Sequence, residues 1–279
     1  MSVSLSTATT TPVPAALRQW QRFIPATLLR RAAVPLSIIA AWYWLTAYGY
    51  VDSQTMPTPL AVAQSFWTLI ITGQMLPNLL ISLQRVAIGL SFGVTAGTIL
   101  GLTASLSRAG EDAIDATVQM ARTLPHLALI PLMILWFGIG ETPKIVLIAL
   151  GSVFPIYLNL FSAVRGADRK LLEAASVLGL SHAETIWHVI LPAALPGFLV
   201  GLRQALGFSW LSLVVAEQIN ASSGIGYLVM NARDFLRTDI IFDGLIVYAL
   251  LGLATDQAVR ALERHLLAWR PSIIPAKRF

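Results

Sequence analysis

Long uncharged apolar runs alternate with short charged patches along this chain, and the runs have the length that predicts membrane-crossing helices. Residues 32–51, 86–107, 123–140 and 145–164 carry no Asp, Glu, Lys or Arg. Residues 191–216 carry only Arg203, and residues 240–259 carry Asp243 and Asp256 near their two ends. Each run approaches the roughly 20 residues that a helix needs to cross the hydrocarbon, so six spans are predicted. A shorter apolar piece, residues 60–72, comes after the turn-forming Met56-Pro57-Thr58-Pro59. It is too short to cross and predicts an interfacial helix with Trp67 at the headgroup level.

Inside the second run Gly89, Gly93, Gly97 and Gly101 recur every fourth residue, a smooth stripe that lets a neighbouring helix approach closely. The third run contains Pro125 and Pro131, which free backbone carbonyls and bend a helix. Such a break fits either a kink against a neighbour or a water-accessible path. Before it, residues 111–121 form an acidic amphipathic stretch expected along the membrane surface. After it, Glu141-Thr142-Pro143-Lys144 reads as a short external turn.

Between the fourth and fifth runs lies a charged, helix-prone island, residues 165–192. Asp168 can cap a helix that Gly179 ends in a left-handed conformation. Ser181 and Glu184 have the spacing of a capping box that starts a second helix, and Pro192 closes the island. Leu171, Ala174, Ala175 and Leu178 share one face of the first helix, thin enough to enter another protein's groove. On capping alone, an ordinary folded loop between spans is the favoured reading of the island.

Composition narrows the class. Hydrophobic residues make up 56% of the chain and charged residues 12%, which is an integral membrane protein's balance. There is no cysteine, and the four histidines have no metal-ligand spacing, so a metal-dependent membrane enzyme has no support. The net charge of +5 comes from basic loops and needs no nucleic acid to explain it. With six spans and both termini inside, thirteen of the nineteen Lys and Arg fall on the cytoplasmic side, which satisfies the positive-inside rule. A cleaved signal peptide does not explain the first run, which starts late and carries Trp42, Tyr43 and Trp44. The organisation expected is a cytoplasmic tail over residues 1–31, a transmembrane domain over 32–262 with the island (165–190) as a cytoplasmic loop, and a basic tail over 263–279. Arg203, a lone charge in mid-span, costs about 2.5–3.5 kcal/mol on insertion scales and needs either an ion-pair partner or a place on a solute path.

The island resembles the EAA motif of binding-protein-dependent ABC importer permeases. Glu173-Ala174-Ala175, Gly179 and Leu191-Pro192 stand at the motif's positions, with Val189 in place of its isoleucine. The phrases Arg122-Thr-Leu-Pro125-His126, Leu135-Trp136-Phe137-Gly138-Ile139-Gly140, Phe154-Pro155-Ile156-Tyr157 and Ser223-Gly224-Ile225-Gly226-Tyr227 are similar to the aliphatic sulfonate branch, alongside the taurine and nitrate permeases. The resemblance implies an all-α type I ABC importer permease fold in a bacterial inner membrane. It implies a second permease copy, two cytoplasmic ATPase subunits, an extracytoplasmic substrate-binding protein and surrounding lipid as partners. Glu173, Ala174, Ala175, Leu178, Gly179, Leu180, Leu191 and Pro192 would then couple to the ATPases. This chain has no P-loop, so it binds no cofactor itself, and ATP with Mg belongs to the ATPase subunits. For the anion path the candidates are Arg203 first, then Arg122, His126 and Arg85. The cargo expected is an aliphatic sulfonate, with taurine or nitrate as alternatives. An ion-gradient-driven transporter is the competing class, and it lacks a reason for the EAA spacing.

Overall fold

The computed structural model describes residues 26–52 and 54–269, and the expected tails before residue 26 and after residue 269 lie outside them. The chain divides into two compact units, Met1–Ala61 and Val62–Phe279. In the first, helix α1 (Ala26–Ala47) contains Pro35, and its apolar part, Ala33–Ala47, is shorter than a full crossing. Trp42 Nε1 donates to the Pro57 carbonyl at 2.9 Å, and Trp44 stacks on Tyr50 with ring centres 5.3 Å apart. Helix α2 (Pro59–Ile71) is the short apolar helix that the sequence predicts.

The second unit is built on four long apolar helices: α3 (Met75–Leu106), α6 (Glu141–Arg165), α9 (Leu191–Asn220) and α11 (Thr238–Leu266). The glycine stripe sets the first pairing. Gly89, Gly93, Gly97 and Gly101 of α3 are buried against Ile148, Ser152, Ile156 and Leu160 of α6, in rising order on both helices, so the two run parallel. A Cβ at Gly89 would come within 2.7 Å of Ile148 Cβ, and one at Gly93 would overlap Ser152 Oγ. Helix α9 packs on another side of α6 in the opposite direction: Gly197 meets Ala163 and Asn159, and Ser212 meets Gly151. Helix α11 runs antiparallel to α9, with Tyr248 beside Glu217 and Thr255 beside Trp210. The four meet at Val86, Ile148, Trp210 and Leu213, flanked by Tyr248 and Leu251.

Two parallel neighbours need a return segment between them, and here it is a broken one. Helix α4 (Arg108–Ala121), capped by Ser107 Oγ accepting the Gly110 N–H at 3.0 Å, climbs alongside α6. Glu111 pairs with Arg165, and Asp115 accepts the Tyr157 hydroxyl at 2.8 Å. A 3₁₀ turn (His126–Leu129) and α5 (Ile130–Phe137) complete the return, bent by 83° from α4. Residues 123–140 are therefore not one helix: the run breaks at Pro125, as its prolines predicted, whereas Pro131 sits in the first turn of α5 and breaks nothing. Pro125 takes an extended conformation before the 3₁₀ turn, and Gly138 at φ 74° ends α5 after eight residues, about 12 Å. The amphipathic stretch is the first half of this return and not a separate surface helix. Counting the bent pair as one span gives five among the described residues, and α1 stands in the sequence where the first of the six was expected.

Two other boundaries differ from the pattern. Helix α3 begins at Met75, eleven residues before the apolar run, because the polar residues of its first turns are buried against other elements. Glu141-Thr142-Pro143-Lys144 is the first turn of α6 and not a turn between helices. Proline is tolerated there because the first helical N–H groups have no intrahelical acceptor. Within the second unit, Ser65 of α2 donates to Asp243 at 2.5 Å. Asp243 is fully buried on α11, and its Oδ1 has no hydrogen-bond partner among the described residues.

Candidate functional site

The island folds as the capping pattern requires. Asp168 accepts the Lys170 N–H at 2.9 Å and starts α7 (Arg169–Val177). At the far end Gly179 adopts φ 75°. The Leu180 N–H reaches the Ala175 carbonyl and the Gly179 N–H reaches the Ser176 carbonyl, both at 3.1 Å, the paired bonds of a Schellman cap. Ser181 and Glu184 then close a reciprocal capping box, with Ser181 N–H donating to Glu184 Oε2 at 2.8 Å. The bend between the two helices is thus fixed by four local hydrogen bonds and one left-handed glycine.

Beyond the bend there is no separate helix. The short α8 (His182–Thr185) passes through a π-helical turn (Ile186–Ile190) directly into α9, so His182–Ile219 is one continuous 38-residue element. Pro192 was expected to close the island and instead sits in the first turn of α9. The π turn explains how: the Leu191 N–H bonds back to Ile186, and the widened turn relieves the clash of a proline ring with the carbonyl four residues earlier.

Ala175, expected on the open face with Leu171, Ala174 and Leu178, is instead turned inward and buried, and no other residue of α7 is. Leu171, Val177 and Leu178 stand 51%, 86% and 77% exposed, Glu173 and Ala174 are exposed beside them, and Trp187 adds a further apolar group. Helix α7 therefore presents a small, rigid, apolar surface flanked by charge, at the end of the bundle opposite the start of α6.

The four candidate path residues do not converge. Arg203 lies against α11, its Nη2 2.7 Å from Glu263 and its Nε 3.2 Å from Asp256, which also holds Arg260. The Nε contact has ion-pair distance without hydrogen-bond alignment. Arg122 is exposed beside the break in the return segment. His126 sits in that break, its Nε2 3.1 Å from Ser212 Oγ. Because the Ser212 hydroxyl donates to the Phe208 carbonyl at 2.8 Å, the serine oxygen is an acceptor and Nε2 carries the proton. Gly151 leaves room for that contact, since a Cβ there would fall 2.7 Å from Ser212 Oγ.

Arg85 belongs to a different and denser constellation. It is 3% exposed, and its Nη1 donates to Glu217 Oε1 at 2.6 Å and to the Ser223 carbonyl at 2.7 Å. Its Nε and Nη2 donate to the two oxygens of Glu141 at 2.5 and 2.7 Å. Lys144, 4% exposed, reaches Glu141 Oε1 at 3.0 Å. Glu217, fully buried, also accepts from Ser82 Oγ at 2.8 Å, from the Gly226 N–H at 2.8 Å and from the Tyr248 hydroxyl at 3.3 Å. The Gly226 N–H belongs to the first turn of α10 (Ile225–Asp234), so the carboxylate sits where that helix's free donors favour negative charge. Gly224, at φ 110°, donates to Asn78 Oδ1 at 2.7 Å, and Ile225 donates to Ser82 Oγ at 3.0 Å. Five elements (α3, α6, α9, α10 and α11) are tied at this one knot.

Sequence reasoning missed Glu141, Lys144, Glu217 and Ser82 as a unit. One signal was present: Asn78, Ser82 and Arg85 recur at helical spacing, a polar stripe running into an apolar span. Along α9, Glu217 and Arg203 are fourteen residues apart, about 21 Å, so Arg85 and Arg203 serve separate levels.

Residues 93–267 match the family described as binding-protein-dependent transport system inner membrane component. An Escherichia coli (strain K12) protein named as the putative aliphatic sulfonates transport permease protein SsuC is 50% identical over 239 residues, covering 86% of this chain and 91% of that protein. The Bacillus subtilis (strain 168) protein of the same name is 47% identical over 239 residues, covering 86% and 87%. The E. coli taurine transport system permease protein TauC is 34% identical over 241 residues, covering 85% and 88%. Among solved structures, an amino acid ABC transporter with histidines aligns at TM-score 0.60 and 18% identity, over 72% of this chain and 98% of that one. The inward-facing MetNI methionine ABC transporter aligns at TM-score 0.55 and 20% identity, over 68% and 97%.

Proposed function

Because this chain belongs to the binding-protein-dependent transport system inner membrane component family, we propose that it is the permease subunit of an ATP-driven importer of aliphatic sulfonates. It is an all-α, multi-pass inner-membrane protein with the type I ABC importer permease fold. The observation that carries the substrate is the 50% identity, along nearly the whole length, to a permease named for aliphatic sulfonates. Taurine, named for a relative at 34%, shares the sulfonate group and stands second.

The division of labour follows from the residues. The permease catalyses no reaction; two ATPase subunits bind ATP and Mg and hydrolyse the nucleotide, and an extracytoplasmic binding protein delivers the solute. A second copy of this chain completes the pathway, and lipid covers the outward apolar faces. The ATPases grip Leu171, Glu173, Ala174, Val177 and Leu178 on α7, a surface left open by the described residues of this chain. Gly179 and Leu180 set the bend, and Leu191 and Pro192 begin α9 beyond the π turn. Closure of the ATPases on ATP displaces α7. The displacement passes into a single helical element of about 57 Å that ends beside the Glu217 knot. Motion at the cytoplasmic end is thereby delivered to the extracytoplasmic end through the Gly179 bend, the π turn and Pro196 of α9.

The test is uptake of ethanesulfonate into liposomes holding the complete transporter and its binding protein. ATP-dependent accumulation in the wild type, lost in Gly179→Pro and in Glu173→Lys while ATPase activity of the assembled complex survives, is the expected result. Normal coupled uptake by both variants would remove α7 from the coupling role, and accumulation driven by an ion gradient without ATP would remove the importer class.

A further inference from the structure

The Arg85 knot has two unequal halves. On one side Arg85 Nη1 is locked to Glu217, which is fully buried and satisfied by Ser82, Gly226 and Tyr248 as well. On the other side Arg85 Nε and Nη2, together with Lys144 Nζ, converge on Glu141, whose side chain is 56% exposed. The cations are fixed and buried, and the charged group of the cluster that faces outward is the carboxylate they hold. We propose that Arg85 and Lys144 form a binding site for a monovalent sulfonate headgroup at the extracytoplasmic mouth, and that Glu141 is a tethered plug occupying it. This rests on the assignment of the protein as a sulfonate importer.

Three features of the cluster support the assignment. The first is donor geometry: three N–H donors gather on one small anion, with a bidentate guanidinium edge and an ammonium beside it. A carboxylate offers two oxygens and must share one between Arg85 and Lys144, whereas a sulfonate offers three, one per donor. The second is charge. Arg85 and Lys144 carry +2, Glu217 removes one unit permanently, and the remaining +1 is balanced by Glu141. With Glu141 swung aside the site retains one uncompensated positive charge, which a monoanion neutralises and a dianion such as sulfate overfills, at the cost that unpaired buried charge carries. The third is removability. Glu141 is the first residue of α6 and its side chain is 56% exposed, so it can turn to solvent without unpacking the helix. The Arg203 cluster offers no comparable site, because Asp256 and Glu263 both hold that guanidinium and, at 28% and 26% exposed, neither stands outward as Glu141 does.

A tethered competitor makes a gain-of-function test possible. In the purified permease–ATPase complex, Glu141→Gln keeps the side chain's shape and removes the plug's charge. Direct binding of radiolabelled ethanesulfonate, without binding protein, is expected to tighten about tenfold or more in this variant, and Lys144→Met on the same background is expected to abolish the gain. Sulfate is expected not to compete. The same preparations are assayed for ethanesulfonate uptake with binding protein, and their thermal unfolding is followed in detergent. If Glu141→Gln lowers thermal stability without any gain in binding, or if Lys144→Met leaves the gain intact, the site is overturned and the cluster is a staple only. If Glu141→Gln gains sulfonate binding while the wild type accumulates no sulfonate, the site stands and the substrate assignment of the transporter falls.

Discussion

At the residue scale the decisive group is Glu217. A fully buried carboxylate in an apolar bundle costs several kcal/mol to desolvate, and here it is compensated by Arg85, Ser82, Tyr248 and the free donor at the start of α10. Removing it leaves Arg85, 3% exposed, with Glu141 as its one counter-ion among the described residues. Glu217→Ala is therefore expected to destabilise the protein by about 3–5 kcal/mol, and Glu217→Gln by less, since the amide still accepts from Ser82 and Gly226. Thermal unfolding of the detergent-solubilised variants measures both, and equal losses would place the cost in packing and not in charge. None of this was legible in sequence. Arg85 stands 56 residues from Glu141 and 132 from Glu217, and no local rule relates such positions. Each was visible only as an isolated charge at the edge of an apolar run.

At the element scale the legible features were those with a local cause. The glycine stripe predicted close packing and delivered it, because four residues on one helix face need no knowledge of the partner to mark it as thin. Adding a methyl group has opposite consequences at two of the bundle's glycines. At Gly93 it meets Ser152 Oγ and, at 2.6 Å, the backbone carbonyl of Ala149, which cannot move aside. Gly93→Ala is expected to cost about 1–3 kcal/mol, while Gly207→Ala on α9, with nothing within 4 Å, is expected to be neutral or to stabilise by up to about 1 kcal/mol. Unfolding midpoints of the pair check the contrast. The Schellman cap at Gly179 and the capping box at Ser181 were equally local and form as their spacing required. Pro192 misled for the opposite reason. A proline reads as a helix boundary, but a π turn one step earlier absorbs it, and that turn exists only because α9 continues into the bundle.

At the scale of the second unit, α3, α6 and α11 run one way and α9 runs the other, so a single antiparallel rod leads from the bend after α7 to the Glu217 knot. Arg203 clasps that rod to α11 midway through Asp256 and Glu263. Its engagement by two carboxylates gives Arg203→Ala a specific expectation: a lower unfolding midpoint with the KM for sulfonate uptake unchanged. A raised KM at unchanged stability would return Arg203 to the solute path. Sequence by itself determined the membrane class, the apolar spans other than the first and third, the helical bend of the island and most of the exposed apolar face of α7, because hydrophobic length and helix caps are written in consecutive residues. Only the tertiary structure decided that the third crossing takes in α4 and breaks at Pro125 but not at Pro131, that Lys144 is interior, and that Arg85, Glu141, Lys144 and Glu217 share one site. Burying a charge in an apolar bundle demands an opposite charge nearby in space, and the fold alone chooses which distant residue supplies it.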